Sequence, residues 1–220
     1  MNKLHHLLVA SGGWLLCGML QPAAAADDLR PQRFTLVIHL APAVCALDPS
    51  KRNLRQCQEG FSLTIASLQP DLPPHANENC NSDSPANLNP IQSRVVERVM
   101  PDEQLRKEDW QRNGGCTGMN ASTYFRTIAN YAGRLKVPPE FNSENEVVMQ
   151  RVNLIRQLQG LNNGLPADGI QLRCAANPQL NNNPVLTELR VCYNPRGQYV
   201  SCPAYVRSNC PSTFIVQGVP

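Results

Sequence analysis

The chain has 220 residues, and its 20 lysines and arginines slightly outnumber its 17 aspartates and glutamates, which gives a net charge of +3. That charge is too mild to indicate a nucleic-acid-binding protein by itself, and an aromatic content of 5% leaves few rings on which bases could stack. The length is sufficient for one domain with a full hydrophobic core.

The N-terminus has the pattern of a secretory signal peptide. Lys3 supplies a positive charge, residues 7–20 form a short apolar run, and residues 23–26 are small side chains that suit signal peptidase. The apolar run is too short, and too interrupted by glycine, to predict a membrane-spanning helix. We therefore predict a signal peptide over 1–26 and a single exported domain over 27–220. The domain is expected to be periplasmic or secreted, without membrane attachment, and its 19 basic and 17 acidic residues give it a net charge of +2.

Two strands are predicted at the start of the domain. Residues 34–40 (FTLVIHL) are nearly continuous apolar and branched side chains, which is typical of a strand buried on both faces. Residues 61–68 (FSLTIASL) alternate, with Phe61, Leu63 and Ile65 on one face, and predict a second strand. The stretch 70–90 is rich in Pro, Asn and Ser and predicts a long surface loop.

Three helices are predicted next, over 91–100, over 122–135 and from residue 143 onward. The third begins with Ser143 and Glu146, which form an S-x-x-E capping box, and Gly160 falls where a C-terminal glycine is expected. The predicted inward-facing stripes are, in chain order, Ile91, Val95 and Val99; Phe125, Ile128, Ala129 and Ala132; and Val148, Val152, Ile155 and Leu158.

Three further strands are predicted over 170–175, 185–193 and 212–217. Strands followed by helices and then by strands indicate an α+β domain. The simplest arrangement is a mostly antiparallel sheet packed on one side by the helices.

Cysteine usage supports an oxidising compartment. Removal of the signal peptide takes away Cys17 and leaves an even number of cysteines, which in an exported chain predicts four disulfides, although spacing alone allows 105 pairings. Zinc is the competing use, but the chain has no C-x-x-C spacing and only two histidines beyond the signal peptide, so we expect no metal and no cofactor. The eight cysteines are Cys45, Cys57, Cys80, Cys116, Cys174, Cys192, Cys202 and Cys210.

Four segments carry a pattern that extends over nearly the whole domain. They are FTLVIHLAPAVC (34–45), SLTIASLQPDLP (62–73), EDWQRNGGC (108–116) and GGCTGMNASTYFRTIANY (114–131). In this order, and with the C-terminal cysteine spacing, they resemble the ribonuclease T2 family of secreted RNA endonucleases, and in particular its bacterial periplasmic members. The resemblance implies that family's α+β fold. It also implies the pairings Cys45–Cys57, Cys80–Cys116, Cys174–Cys210 and Cys192–Cys202.

The resemblance places the family's two catalytic histidines at positions that hold other residues. In the family, one histidine takes a proton from the attacking 2′-hydroxyl and the other protonates the leaving 5′-oxygen. When the motifs are matched on Pro70 and Cys116, these positions are Ala66 and Asn113. Such roles need a group that titrates near the working pH, and neither a methyl group nor an amide does so. The resemblance therefore implies that the chain keeps the family's fold but lacks the two groups that transfer protons in the family's reaction.

The supporting positions of the family site are changed more conservatively. Its glutamate corresponds to Asp109, its lysine to Arg112 and a tryptophan to Gln69. Arg112 keeps a positive charge that could hold a phosphate, and Asp109, Gln69 and Trp110 complete the candidate binding residues. Two interpretations of Trp110 remain open, a base-stacking platform or core packing beside the Cys116 bridge, and we favour core packing.

The remaining histidines and basic residues have alternative interpretations. His39, on the first predicted strand, is either a relocated catalytic base or a strand histidine satisfied by its neighbours, and we favour the second interpretation. His75 is expected to be a solvated loop residue. RNA binding would depend on Arg112 together with Lys107 and Arg106, although a basic patch of that size is more often a solvated surface.

The sequence thus predicts an exported ribonuclease T2-like pseudoenzyme that acts by binding. The expected partner is a protein, for which the chain would be an inhibitor or immunity factor against an exported toxin or enzyme. It would dock over the vacated cleft near Asp109, Arg112 and the 70–90 loop. Weak binding of RNA or a nucleotide is the second form of this hypothesis. The alternative is an active endoribonuclease with a rearranged site formed by His39, Asp109 and Arg112.

Overall fold

The computed structural model describes residues 30–72 and 80–219, so the predicted signal peptide and His75 lie outside the described residues. Six α-helices and six β-strands follow one another over this part of the chain. They are β1 (Arg33–Leu40), α1 (Ala41–Leu47), α2 (Arg55–Gln58), β2 (Leu63–Asp71), α3 (Pro90–Glu97), α4 (Glu103–Asn113), α5 (Ala121–Arg134), β3 (Val147–Gln150), α6 (Arg151–Leu161), β4 (Ile170–Asn177), β5 (Asn183–Tyr193) and β6 (Thr213–Val216).

The strands form one six-stranded sheet. Its order is β2-β1-β5-β6-β3, and β4 pairs with β5 beside that path. Every pairing is antiparallel except the short parallel contact between β5 and β6. The prediction of an α+β domain with a mostly antiparallel sheet is therefore confirmed.

Strand β1 lies near the middle of the sheet and separates the core from the candidate site. Phe34, Leu36, Ile38 and Leu40 belong to the main hydrophobic core, where they meet the buried side chains of α5 and α6. Because successive side chains of a strand point to opposite faces, Val37 and His39 face the other way. The same strand thus anchors the fold and supplies one wall of a cleft.

All four disulfide pairings implied by the resemblance are present. Cys45–Cys57, Cys80–Cys116, Cys174–Cys210 and Cys192–Cys202 close loops with sequence separations of 12, 36, 36 and 10 residues. The Cys80–Cys116 bridge holds the segment that begins at residue 80 against the C-terminal end of α4. Within the described residues, no helix is long and apolar enough to cross a membrane.

The predicted inward face of α3 is wrong for Ile91 and Val95, whereas the third predicted residue, Val99, packs against the core. Ile91 and Val95 are 76% and 47% exposed, whereas Val96 and Met100 are almost completely buried. The helix itself is well specified, since Asn89 forms a reciprocal capping box with Gln92 ahead of it. Two apolar stripes are available on this helix, and the core is contacted by the one that contains Val96.

The third predicted helix begins eight residues later than Ser143. Residues 147–150 form β3, which pairs with β6, and α6 starts at Arg151. The Ser143 hydroxyl bonds the backbone of Asn145 instead of capping a helix, and Gly160 lies inside α6. Val148 is 73% exposed for this reason, because it belongs to an edge strand and not to a helix stripe.

Three helices were not predicted, and strand β2 is shifted relative to its prediction. The short α1 and α2 lie between β1 and β2, and α4 carries the second motif of the resemblance. Helix α4 has no apolar stripe, because its buried side chains include Arg106, Asp109 and Asn113. Strand β2 begins at Leu63 and continues to Asp71, into the stretch predicted as a loop.

Candidate functional site

A cleft of about 340 Å³ lies on the face of the sheet that β1 turns away from the core. Side chains from β1, β2, β5 and α4 form its walls, together with two residues between β1 and β2. They are Val37 and His39; Ala66, Ser67 and Gln69; Glu188 and Arg190; Leu105, Glu108, Asp109 and Arg112; and Lys51 and Gln56. The cleft therefore brings together Ala66, Gln69, Asp109, Arg112 and His39, whereas Trp110 and Asn113 do not line it.

Ala66 occupies a β-bulge. Val37 pairs with Ser67 and Ile38 pairs with Ile65, so Ala66 is the extra residue of strand β2. A bulge turns an additional side chain out of the regular alternation. Ala66 and Ser67 consequently both line the cleft, to which Ala66 offers only a methyl group.

Asn113 is committed to a buried hydrogen-bond network centred on Asp109. Its amide nitrogen donates to Oδ1 of Asp109 at 2.7 Å, and the hydroxyl of Tyr124 lies 2.7 Å from Oδ2. The backbone N–H of Leu68 also supports this carboxylate. Asn113 and Asp109 lie one turn apart on α4 and are 8% and 3% exposed. Asn113 is not among the residues that line the cleft.

Burial raises the pKa of Asp109 to about 6, against the opposing effects of the Tyr124 and Asn113 hydrogen bonds, the Leu68 N–H and the charge of Arg112. A carboxyl group in this range exchanges its proton near neutral pH. Such a group at a cleft is a candidate for function, although buried structural networks produce the same shift.

His39 is held beside Glu188 rather than beside Asp109. The two residues are directly opposite each other in the β1–β5 register, and Nε2 of His39 lies 3.9 Å from a carboxylate oxygen of Glu188. Burial lowers the pKa of His39, the Glu188 charge opposes this effect, and Lys51 and Arg190 lower the pKa further. The imidazole is therefore predominantly neutral at pH 7. His39 and Asp109 share a cleft, but each has its own partners.

The cations of the cleft differ in their availability. Lys51 pairs with Asp48 at 3.6 Å, and the guanidinium of Arg190 contacts the carboxylate of Glu188. Arg112 is exposed at the C-terminal end of α4 and makes no hydrogen bond or ion pair with the residues that the structure describes. Arg112 is thus the cleft cation best placed to meet an anionic group.

No protein-family model and no curated protein matches the sequence. Solved structures do match. Ribonuclease MC1 from bitter gourd seeds is 21% identical with a TM-score of 0.61, over 83% of this chain and 98% of that one. The SF11-RNase associated with self-incompatibility in Nicotiana alata is 15% identical with a TM-score of 0.66, over 86% and 100%. An RNase-related protein from Calystegia sepium is 14% identical with a TM-score of 0.61, over 86% and 98%. This chain has the ribonuclease T2 fold.

Within this T2 fold, Trp110 belongs to the core. It is 2% exposed, its indole nitrogen donates to the carbonyl of Ser84 at 2.7 Å, and its ring meets Tyr124 edge-on with centroids 5.4 Å apart. Its placement agrees with the core-packing interpretation and not with a base-stacking platform. Gln69 does line the cleft, but the lining residues within the described part of the chain include no Phe, Tyr or Trp side chain.

Two basic residues considered for RNA binding lie outside the cleft. Arg106 is 5% exposed, and its guanidinium donates to the carbonyls of Met100 at 2.5 Å and Pro101 at 3.2 Å. Lys107 is exposed and pairs with Glu103 at 2.7 Å. Arg106 therefore stabilises the start of α4, and the predicted basic patch is reduced to Arg112.

Several residues of this T2-fold cleft were not predicted from the sequence. Glu188 and Arg190 were assigned only to a strand, although two charges in an otherwise apolar strand were an available signal. Ser67 and Gln56 were also missed, and the buried Ser67 Oγ and Gln56 Nε2 have no hydrogen-bond partner within the described part of the chain. In that part of the chain there is also no group of three or more His, Cys, Asp or Glu side chains that could hold a metal ion.

Proposed function

We propose that this ribonuclease-like protein is an exported pseudoenzyme that acts by binding and not by cutting RNA. The proposal is supported by the chemistry of Ala66 and Asn113, the two residues that the resemblance places at the family's histidine positions. Ala66 offers no titratable group, and the amide of Asn113 is engaged by Asp109. If each lost proton transfer contributed about 10²–10⁴ in rate, the loss of both would remove most of the catalysis.

The export part of the proposal is supported by the four disulfides, which persist in oxidising compartments and are rare in the cytosol. A protein secreted into the periplasm or the medium would satisfy this requirement equally well.

A protein partner fits the cleft better than RNA does. Base recognition by stacking needs aromatic side chains, and among the described residues only the His39 imidazole supplies a ring to the cleft. Lys51 and Arg190 already pair with carboxylates of this chain, so Arg112 is the remaining cation for a phosphate backbone. An acidic side chain of a protein partner, such as an exported toxin or enzyme held by an inhibitor or immunity factor, needs only one such cation.

A second candidate function is an active ribonuclease with a rearranged site. The observation that favours it is the presence of His39 and Asp109 in one cleft, with the pKa of Asp109 near 6. Such a pair could in principle act as base and acid. However, both Asp109 oxygens already accept hydrogen bonds, and His39 faces Glu188 at 3.9 Å instead of Asp109.

The two functions are separated by an assay of the mature protein on single-stranded RNA, with ribonuclease MC1 as the reference. We expect cleavage at least about a thousandfold slower than the reference, because two proton-transfer groups are missing. Cleavage within about tenfold of the reference, abolished by His39→Ala, would replace the pseudoenzyme with the rearranged enzyme.

The binding hypothesis is tested by affinity capture from periplasm with Arg112→Glu as the altered bait. The matched control is Lys107→Glu, because Lys107 is an exposed cation of the same helix that lies outside the cleft. We expect a protein that the original bait and Lys107→Glu retain and Arg112→Glu loses. Retention by all three baits would exclude the cleft as the interface. RNA or nucleotide binding that weakens as salt rises would instead favour the nucleic-acid form of the hypothesis.

A further inference from the structure

A second concave surface lies between α3 and α5. This α3–α5 groove has a volume of about 180 Å³ and is mostly apolar. Leu88, Val96, Phe125 and Ala129 line it, and Ile91 and Val95 form its exposed edge. It shares no lining residue with the cleft that contains Asp109.

The edge of the α3–α5 groove presents apolar side chains to water, although α3 already packs another apolar side chain into the core. Ile91 and Val95 are one helical turn apart, and they are 76% and 47% exposed, while Val96 supplies the contact with the core. Single exposed apolar residues are ordinary, but two adjacent ones beside an apolar cavity are typical of an interaction site.

The surroundings of the α3–α5 groove are basic. Arg126 lines the groove, and Arg94 and Arg98 flank Ile91 and Val95 on the surface of α3, because residues three and four apart are neighbours on a helix. All three arginines are exposed and make no hydrogen bond or ion pair with residues 30–72 or 80–219. The nearby Glu97 does not neutralise them, since it bonds Ser93 at 2.8 Å and also faces Arg106.

We propose that the α3–α5 groove is a docking site for an acidic, amphipathic segment of a protein partner. One apolar side chain of that segment would fill the cavity, and its flanking carboxylates would pair with Arg94, Arg98 and Arg126. A concave apolar cavity admits a side chain and excludes a phosphate group, and the positive rim selects acidic neighbours. This site stands apart from the proposed function of the cleft, because it does not depend on whether the cleft cleaves RNA.

The probe for this site is a short synthetic helix with leucines on one face and glutamates beside them, and the matched probe carries lysines in place of the glutamates. Binding to the mature protein is measured by fluorescence anisotropy. We expect the glutamate peptide to bind, and its Kd to rise at least about tenfold in Ile91→Glu and in Arg126→Glu. Val148→Glu is the matched control, because Val148 is as exposed as Ile91 but lies on strand β3. It should leave the Kd unchanged.

Other outcomes would overturn the proposal. Equal binding of the lysine peptide, or an unchanged Kd in Ile91→Glu, would exclude a selective groove. Binding of anionic phospholipid vesicles without binding of the peptide would assign the surface to a membrane. A dimer in sedimentation equilibrium that Ile91→Glu dissociates would assign it to a second copy of this chain. Ile91→Glu and the original protein should cleave RNA at the same rate and should retain the same protein in the affinity capture that tests the cleft. A failure of the groove proposal is therefore distinguishable from a failure of the proposed function.

Discussion

The buried carboxyl group of Asp109 makes the stability of the protein depend on pH in a specific way. Burial raises its pKa from the ordinary 3.8 to about 6, so the native state binds the proton more tightly than the unfolded chain does. The associated stabilisation is fully present below pH 3.8 and is lost as the pH rises through about 6. At 1.36 kcal/mol per pKa unit, this shift corresponds to about 3 kcal/mol.

The substitution Asp109→Asn should remove this dependence. An amide remains neutral at every pH, and it can keep partners in the network, because the hydroxyl of Tyr124 can accept from it while donating to the carbonyl of Leu68. We therefore expect the free energy of unfolding of the original protein to fall relative to that of Asp109→Asn. The relative fall should be about 3 kcal/mol between roughly pH 3.5 and pH 7.5.

The assay is urea unfolding of both proteins with disulfides intact, at several pH values across this range. The difference between the two proteins is the measured quantity, because it cancels the titration of every other group. Asp83→Asn is the control for the same chemical change, since Asp83 is an exposed carboxylate outside the Asp109 network. If the free energies of unfolding of the original protein and of Asp109→Asn change in parallel with pH, the claim that Asp109 binds a proton more tightly in the native state is refuted.

Two pairs of variants test the packing and the disulfides by urea unfolding. Gly115→Ala should destabilise by about 1–3 kcal/mol, because a Cβ there would overlap the backbone carbonyl of Asn81. Gly160→Ala should stabilise by about 0.5–1 kcal/mol, because Gly160 lies inside α6 with open space around it, and the same sign for both glycines would contradict this packing. Removing Cys192–Cys202 should cost about 1 kcal/mol less than removing Cys174–Cys210, because it closes a loop of sequence separation 10 instead of 36, and a larger cost for the short loop would contradict the entropic argument.

The parts of the fold that the sequence predicted well depend on local patterns. The apolar run at 34–40 and the strand at 185–193 show their burial directly in their side-chain types, and both are strands of the sheet. The disulfide pairings were accessible only through the resemblance, because spacing alone leaves every pairing open.

The errors arose where distant parts of the chain decide local structure. Residues 147–150 form a strand because β6, more than sixty residues later, pairs with them. Helix α4 escaped prediction because the side chains it buries are polar and find partners elsewhere, such as Tyr124 for Asp109. The periodicity of apolar residues shows neither the pairing of a strand with a distant strand nor the burial of polar side chains.

The candidate site was predictable in part for the same reason. The two motifs placed Ala66 and Asp109 in one cleft, but the Glu188 partner of His39 comes from the register of β1 against β5. The commitment of Asn113 to Asp109, and the burial of Trp110 behind it, are likewise tertiary contacts. The motifs therefore identified candidate residues of the site, whereas the hydrogen bonds and packing of those residues come from tertiary contacts that the sequence does not show.

The central claim, that the cleft lacks a working proton-transfer pair, is tested most directly by a pH–rate profile for RNA cleavage by the mature protein under single-turnover conditions. The account predicts a rate at least about a thousandfold below that of ribonuclease MC1 across the profile, with no limb that responds to His39→Ala. A bell-shaped profile approaching the reference rate, with one limb removed by His39→Ala and the other by Asp109→Asn, would contradict it.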